Sequence, residues 1–223
     1  MSCFYFITQQ ISDLNSDIIL KETNLSMLKR NTDILVIDDD EFAYSEALKH
    51  NEFRMTHRTD IQSLTDVAGY DMILCDIRGV GKIFQSDYEG AYLVKQLKEK
   101  YPNKIVVSYT ADSYNPKYEN YLKYADAIVP KGTTLEDWDA LLSQLIRDLA
   151  NPVKQWKKTR KALFDANVAT ILVAKYENQF VKAVQKGNFE SIKKLYAQKD
   201  DSISEIMSGL FKIASKFFSH IKE

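Results

Sequence analysis

The chain predicts an α/β fold: a doubly wound, five-stranded parallel sheet followed by an all-helical C-terminal region. Three observations carry this. From Asp33 onward, short apolar runs alternate with amphipathic stretches, so strands and helices take turns. The runs Ile34–Ile37 and Met72–Cys75 lack polar alternation, as strands covered on both faces do. Past Asn151 the pattern is helical only, and the charge balance reverses. Residues 151–223 hold 14 Lys/Arg against 7 Asp/Glu, whereas residues 1–150 hold 16 against 24. The expected organisation is an N-terminal extension (1–32), a sheet domain (33–150) and a helical domain (151–223).

Composition narrows the class. Hydrophobic residues make up 45% and charged residues 27% of the 223, an ordinary globular balance that excludes a disordered or membrane-spanning chain. Cys3 and Cys75 form no metal-binding spacing, and the start carries no basic segment or cleavage signal. A reduced, cytoplasmic protein is expected.

The elements follow in order. Cys3–Thr8 and Ile18–Leu20 resemble short strands, and Leu25–Lys29 a helical turn or connector. Strand 34–37 leads to a helix over 41–50, then a strand at 54–58 and a helix over about 60–68. Strand 72–75 is followed by a long loop, 77–87. The helix over 88–100 sets Gly90, Leu93, Val94 and Leu97 on one face, and Pro102 stops it. Strand 105–109, a helix over 116–124 and strand 127–129 come next. Thr133 with Glu136 reads as a capping box for a helix over 134–149. Asn151 and Pro152 then supply an N-cap and a first helical position. Further helices are expected over 153–167, 168–186, 189–198 and 203–221, with Ser202 and Glu205 as a second capping box. The last helix carries an apolar stripe, Ile203, Ile206, Met207, Leu210, Phe211, Ala214, Phe217, Phe218 and Ile221. It suits packing onto the tail itself or in a dimer.

Chemistry concentrates where strands end. Ile34–Ile37 runs into Asp38, Asp39 and Asp40, and Met72–Cys75 into Asp76. Ligands of parallel sheets collect at the carboxyl edge. Neighbouring strands with these endings gather carboxylates that repel, and a hard cation such as Mg²⁺ relieves the repulsion. Singly, each residue has a plainer reading: Asp40 a solvent-facing acid or helix N-cap, Thr110 a strand-end residue, Lys131 a surface lysine, Asp76 a cap. His50, His57 and His220 are scattered and receive no role.

Four stretches in order, Ile34-Leu-Val-Ile-Asp-Asp-Asp40, Tyr70-Asp-Met-Ile-Leu-Cys-Asp76, Ile105-Val-Val-Ser-Tyr-Thr-Ala111 and Ala127-Ile-Val-Pro-Lys131, resemble the receiver domain of two-component response regulators. The likeness covers about residues 33–150 and implies a flavodoxin-like receiver fold. By that resemblance Asp76 accepts a phosphoryl group from a phosphohistidine. Asp38 and Asp39 hold Mg²⁺ with Asp76 and the Arg78 carbonyl. Thr110 hydrogen-bonds the phosphoryl group, and Lys131 pairs with the acceptor. The implied partner is a sensor histidine kinase or a histidine phosphotransfer protein. The implied role is a switch rather than an enzyme. The resemblance has departures: Gly79-Val80-Gly81 stands where Met-Pro is usual, the loop 77–87 is long, Gly132 replaces Pro, and Ile128 replaces the aromatic coupled to the Thr. An Arg78–Asp112 ion pair across the pocket would shield the phosphoryl group.

Other functions compete. A phosphate sink would have no output of its own. A phosphatase resembling the haloacid dehalogenases would use Asp38 as nucleophile and Asp40 as acid/base, with Thr110 and Lys131 binding phosphate; it leaves Asp76 idle. The tail resembles no known output domain. It is basic, but Arg160 is its only arginine and no helix-turn-helix pattern emerges. Protein contacts, or a homodimer through 151–223, therefore rank above DNA binding, and no membrane contact is expected.

Overall fold

The computed structural model describes residues 9–14, 24–111, 116–196 and 201–218. Contacts divide the chain into two compact units: 24–147, and a helical unit of 148–223 that also takes in the N-terminal 1–23.

In the first unit β1 (Asp33–Ile37), β2 (Arg54–Arg58), β3 (Met72–Asp76), β4 (Ile105–Thr110) and β5 (Ala127–Pro130) form one sheet in the order 2-1-3-4-5. All four pairings are parallel. This is the doubly wound, flavodoxin-like order of receiver domains. The flanking helices are α1 (Leu25–Asn31), α2 (Ser45–His50), α3 (Glu89–Lys100), α4 (Glu119–Leu122) and α5 (Leu135–Leu149). Every residue of β3 and β4 is buried, which is why their sequences show no alternation. Leu35, Ile37, Ile73, Cys75 and Val106 meet Leu93, Val94 and Leu97 of α3 in one core. The opposite face of β4 carries Tyr109, edge-on to Trp138 of α5.

Several elements differ from the sequence reading, each for a local reason. The helix expected over 60–68 is only a 3-10 turn at Leu64–Val67. Asp66 accepts from the amides of Gln62 and Ser63, and Ser63 caps Thr65. These side chains offer the backbone an alternative to helix. The segment 116–124 divides into a 3-10 turn (Pro116–Tyr118) and the short α4. The capping pair before α5 is Thr134 with Asp137, one residue later than Thr133 with Glu136. Leu25–Asn31 is a helix that belongs with the sheet rather than with an extension. Its Lys29 pairs with Asp139 at 3.0 Å and lies over the Phe53 ring. The strands expected at 3–8 and 18–20 lie outside the described residues.

The helical unit holds α6 (Pro152–Asp165), α7 (Thr170–Lys186), α8 (Glu190–Tyr196) and α9 (Asp201–Phe217). Asn151 caps α6 through its side chain, as the Asn-Pro pair predicts. Ser202 is the second residue of α9. The α9 stripe buries Ile203, Met207, Leu210, Ala214 and Phe217, and Phe218 follows. Phe218 meets Phe180 and Phe189, and Phe180 stacks on Trp156. The stripe thus packs onto the tail's own helices; Ile221 lies outside the described residues. Glu177 of α7 accepts from the Ile11 amide (2.9 Å) and the Trp156 indole N–H (2.8 Å), tying the short turn Ile11–Asp13 to this unit.

Two substitutions check this packing in thermal denaturation. Glu177→Ala strands an indole and an amide and should cost about 1–3 kcal/mol. Gly90→Ala should cost about as much or more. A Cβ there would overlap the Asp76 carbonyl oxygen and come 2.9 Å from the Ile77 Cα, both backbone atoms that cannot yield cheaply.

Candidate functional site

Strand register assembles the site. Ile37 pairs with Cys75, and Asp76 pairs with Tyr109. Asp38, the residue after β1, therefore stands level with Asp76 and Tyr109 in one row across three strands. Tyr109 pairs with Val129, so Lys131, two residues on, keeps the same face one step beyond the row. One side of the carboxyl edge thus collects two acids, a phenol and an ammonium.

The side chains meet. Lys131 Nζ lies 2.6 Å from Asp76 Oδ2 and 3.4 Å from Asp38 Oδ2. The Ile77 amide donates to Asp76 Oδ1 at 2.7 Å, and the Asp40 amide to Asp38 Oδ1 at 3.0 Å. The Tyr109 hydroxyl donates to Asp38 Oδ2 at 2.6 Å. Asp38 is 2% and Asp76 3% exposed, so these contacts replace water almost entirely. Thr110 is buried at the end of β4, and its carbonyl accepts from the Lys131 amide at 2.9 Å. Of the residues singled out in the sequence, Asp38, Asp76 and Lys131 are in direct contact. Arg78 is exposed in the turn after β3, and Asp112 lies outside the described residues.

Burial and charge set the protonation states. Burial raises the Asp76 carboxyl above its usual range, outweighing the hydrogen bonds from Lys131 and Ile77, and the Asp38 charge adds to the rise. Burial pulls Lys131 down, but the hydrogen bond and charge of Asp76, helped by Asp38, leave it raised and firmly cationic. Burial and the Asp38 carboxylate push the Tyr109 phenol far up, so it stays a donor. Burial pushes the Cys75 thiol well up as well, which removes it as a nucleophile.

The donor set suits a hard divalent cation. Asp38, Asp39 and Asp40 present carboxylate oxygens within 4.8 Å of one another. Gly79, at φ +74°, lets the exposed Asp39 carboxylate lie against the loop backbone; a Cβ there would overlap it. This is the local reason for glycine at position 79. The long loop is pinned by acids: the Gly79 amide donates to Glu89 Oε2 (2.7 Å), and the Gly81 and Lys82 amides donate to Asp60. Asp40 is not a helix N-cap, because α2 begins only at Ser45 behind Tyr44; it belongs to the acidic group.

Three participants escaped the sequence reading. Tyr109 looked like strand filler beside Thr110, and only its register with Asp76 reveals it. His57 Nε2 donates to the carbonyls of Asp38 (2.9 Å) and Asp40 (3.0 Å), bracing the acidic turn. Glu89 holds the loop from an αL backbone, φ 43°, that a non-glycine residue rarely adopts. Beside the row a hollow of about 230 Å³ is bounded by Asp38, Phe42, Tyr44, Tyr109, Lys131 and Trp138.

No protein-family model and no curated protein sequence matches the chain. Many solved structures do resemble it. A CheY-like response regulator receiver domain from Methanospirillum hungatei is 18% identical, with TM-score 0.44 over 53% of this chain and 95% of its own. A response regulator from Thermotoga maritima is 19% identical, with TM-score 0.41 over 52% and 97%. A response regulator protein from Burkholderia pseudomallei, with a phosphorylated aspartic acid, calcium ion and citrate, is 21% identical, with TM-score 0.39 over 64% and 89%.

The raised Asp76 carboxyl makes a pH-dependent prediction. A carboxyl whose folded pKa exceeds its unfolded value binds its proton more tightly in the fold. That contribution is complete below the unfolded pKa and is lost as pH rises through the folded one. Asp76→Asn should therefore melt higher than wild type at neutral pH. The gap should close as the pH falls from the raised folded value of Asp76 to the ordinary carboxylate value, as thermal melts by circular dichroism across that interval would record. Within the described residues, meanwhile, no helix is long and apolar enough to cross a membrane.

Proposed function

We propose that this chain is a response-regulator-like switch whose receiver unit accepts a phosphoryl group on Asp76 from a phosphohistidine donor. The observation that carries the reading is the Asp76–Lys131 contact of 2.6 Å, beside a three-acid cluster at the carboxyl edge of the sheet. An Asp76 oxygen forms the bond to phosphorus as the donor's P–N bond breaks, and the electron pair leaves with the imidazole nitrogen. The protein's share of this chemistry is positioning and charge compensation. The Ile77 amide orients the acceptor carboxylate, and Lys131 offsets charge on the acceptor and on the transferred group's oxygens. Thr110, at the end of β4, is assigned the hydroxyl that hydrogen-bonds the phosphoryl group. Asp38 and Asp39 would hold Mg²⁺ with Asp76 and the Arg78 carbonyl, and the exposed Asp40 is the further candidate in the cluster. Mg²⁺ supplies neutralisation of the equatorial oxygens when bound.

The new charge on Asp76 would bias elements packed at this edge, and the helical unit would pass the signal on through protein contacts, in the cytoplasm, from a sensor kinase or phosphotransfer protein. Chemical turnover would be limited to the chain's own aspartyl group. The haloacid-dehalogenase-like alternative is the weaker one, because it leaves Asp76, which Lys131 contacts at 2.6 Å, without a role, and its acid/base Asp40 is exposed.

Acetyl phosphate with Mg²⁺, followed by mass spectrometry of the intact chain and its peptides, tests the assignment. One phosphoryl adduct should appear on Asp76 and vanish in Asp76→Asn. An adduct on Asp38 would favour the phosphatase reading, and no adduct in wild type would remove both.

A further inference from the structure

Tyr109 belongs to neither the acceptor nor the cation ligands, yet its hydroxyl reaches the most buried acid of the cluster. The contact is not an accident of neighbouring backbone. Tyr109 is on β4 and Asp38 follows β1, with β3 between them. Two strand spacings separate the backbones by about 9–10 Å, a span that needs a long side chain. The ring is held for this reach by edge contacts from Phe42, which follows the acidic turn, and from Trp138 of α5, with centroids at 5.4 and 5.8 Å. Phe42 and Trp138 also meet each other at 5.3 Å, which closes a three-ring cluster. All three rings are buried. The phenol is thereby aimed at Asp38 Oδ2 and has little freedom to turn away.

We propose that Tyr109 is a positioning residue for the cation site: its hydroxyl fixes the Asp38 carboxylate so that the remaining lone pairs face Asp39 and an incoming divalent ion. This rests on the reading of Asp38 as a cation ligand. Carboxylates that bind metals are themselves hydrogen-bonded, and removing such an outer partner typically costs 10–100-fold in affinity. Among the described residues the Asp38 carboxylate has three hydrogen-bond partners. The Asp40 amide holds Oδ1, Lys131 is the distant one at 3.4 Å and is shared with Asp76, and the phenol is the short one at 2.6 Å. Losing it would leave Oδ2 leaning on a lysine that is already committed elsewhere. The rings of Phe42 and Trp138 then also register the position of Asp38, through one rigid side chain, on helix α5.

Calorimetric titration of the full chain with MgCl₂ tests this. Tyr109→Phe keeps the ring among Phe42 and Trp138 and deletes only the hydroxyl, and its dissociation constant for Mg²⁺ should rise about tenfold. Trp138→Phe loosens one edge of the ring cluster but keeps the hydroxyl and the Phe42 contact, and it should lose less affinity than Tyr109→Phe. Equal affinity in wild type and Tyr109→Phe overturns the proposal, and so does an equal loss in Trp138→Phe, which would mark the effect as one of packing. Should the Phe variant not fold, Tyr109→Met, which fills the space without a hydroxyl, is held to the same tenfold criterion. The underlying reading fails differently: wild type and Asp38→Asn would then take up Mg²⁺ equally poorly.

Discussion

Everything at the carboxyl edge depends on one electrostatic constraint. Two aspartates, Asp38 and Asp76, are almost wholly removed from water and stand side by side on adjacent strands. Burying one carboxylate is costly, and burying two together is more so. The structure meets the cost with the Lys131 ammonium and a set of directed donors. Lys131 reaches both acids, the Ile77 and Asp40 amides each cap one oxygen, and the Tyr109 phenol caps another. The compensation is incomplete, as the raised Asp76 carboxyl reports. A further positive charge beside these two acids would complete it.

Several unusual local features serve that arrangement. Gly79 makes room for the Asp39 carboxylate, and Gly90 lets the start of α3 close on the Asp76 carbonyl, with its own amide donating to the Ile77 carbonyl at 2.9 Å. The strained Glu89 backbone places a carboxylate on the Gly79 amide. Asp60 reaches across from the end of β2 to hold the Gly81 and Lys82 amides. The long loop after β3 is thus built on side chains that replace a regular element, and the positive-φ residues Gly79, Gly81, Gln85 and Glu89 lie in it or at its end. Ile128 on β5 is 46% exposed, while Tyr109 on β4 is the buried aromatic beside Asp38. Tyr109 joins Asp38 to Trp138 of α5.

The helical unit obeys simpler physics. Its apolar stripe on α9 and the Trp156–Phe180–Phe218 series form an internal core, and one acid, Glu177, collects both an indole and the amide of Ile11. A segment near the N-terminus is therefore part of a unit built mostly from the C-terminal third of the chain. Ile203, Met207, Leu210, Ala214 and Phe217 of the stripe are spent on that core, while Ile206 and Phe211 are only partly buried.

Much of this was legible in the residues alone. Uninterrupted apolar runs marked strands covered on both faces, their alternation with helices required parallel pairing, and the acids, threonine and lysine at the run ends marked the edge where they would gather. Local chemistry was less reliable where short polar side chains compete with helix, as at Ser63 and Asp66, or where two threonines in a row leave the cap ambiguous, as at Thr133 and Thr134. What only the tertiary structure decided are the pairings of residues far apart in the chain. Tyr109 meets Asp38 because register aligns β1, β3 and β4, and Ile11 meets Glu177 because the helical unit recruits it. Sequence periodicity reports which face of an element is buried, since that depends on the element's own repeat. It does not report which neighbour lies across that face, since that is set by the packing of the whole unit.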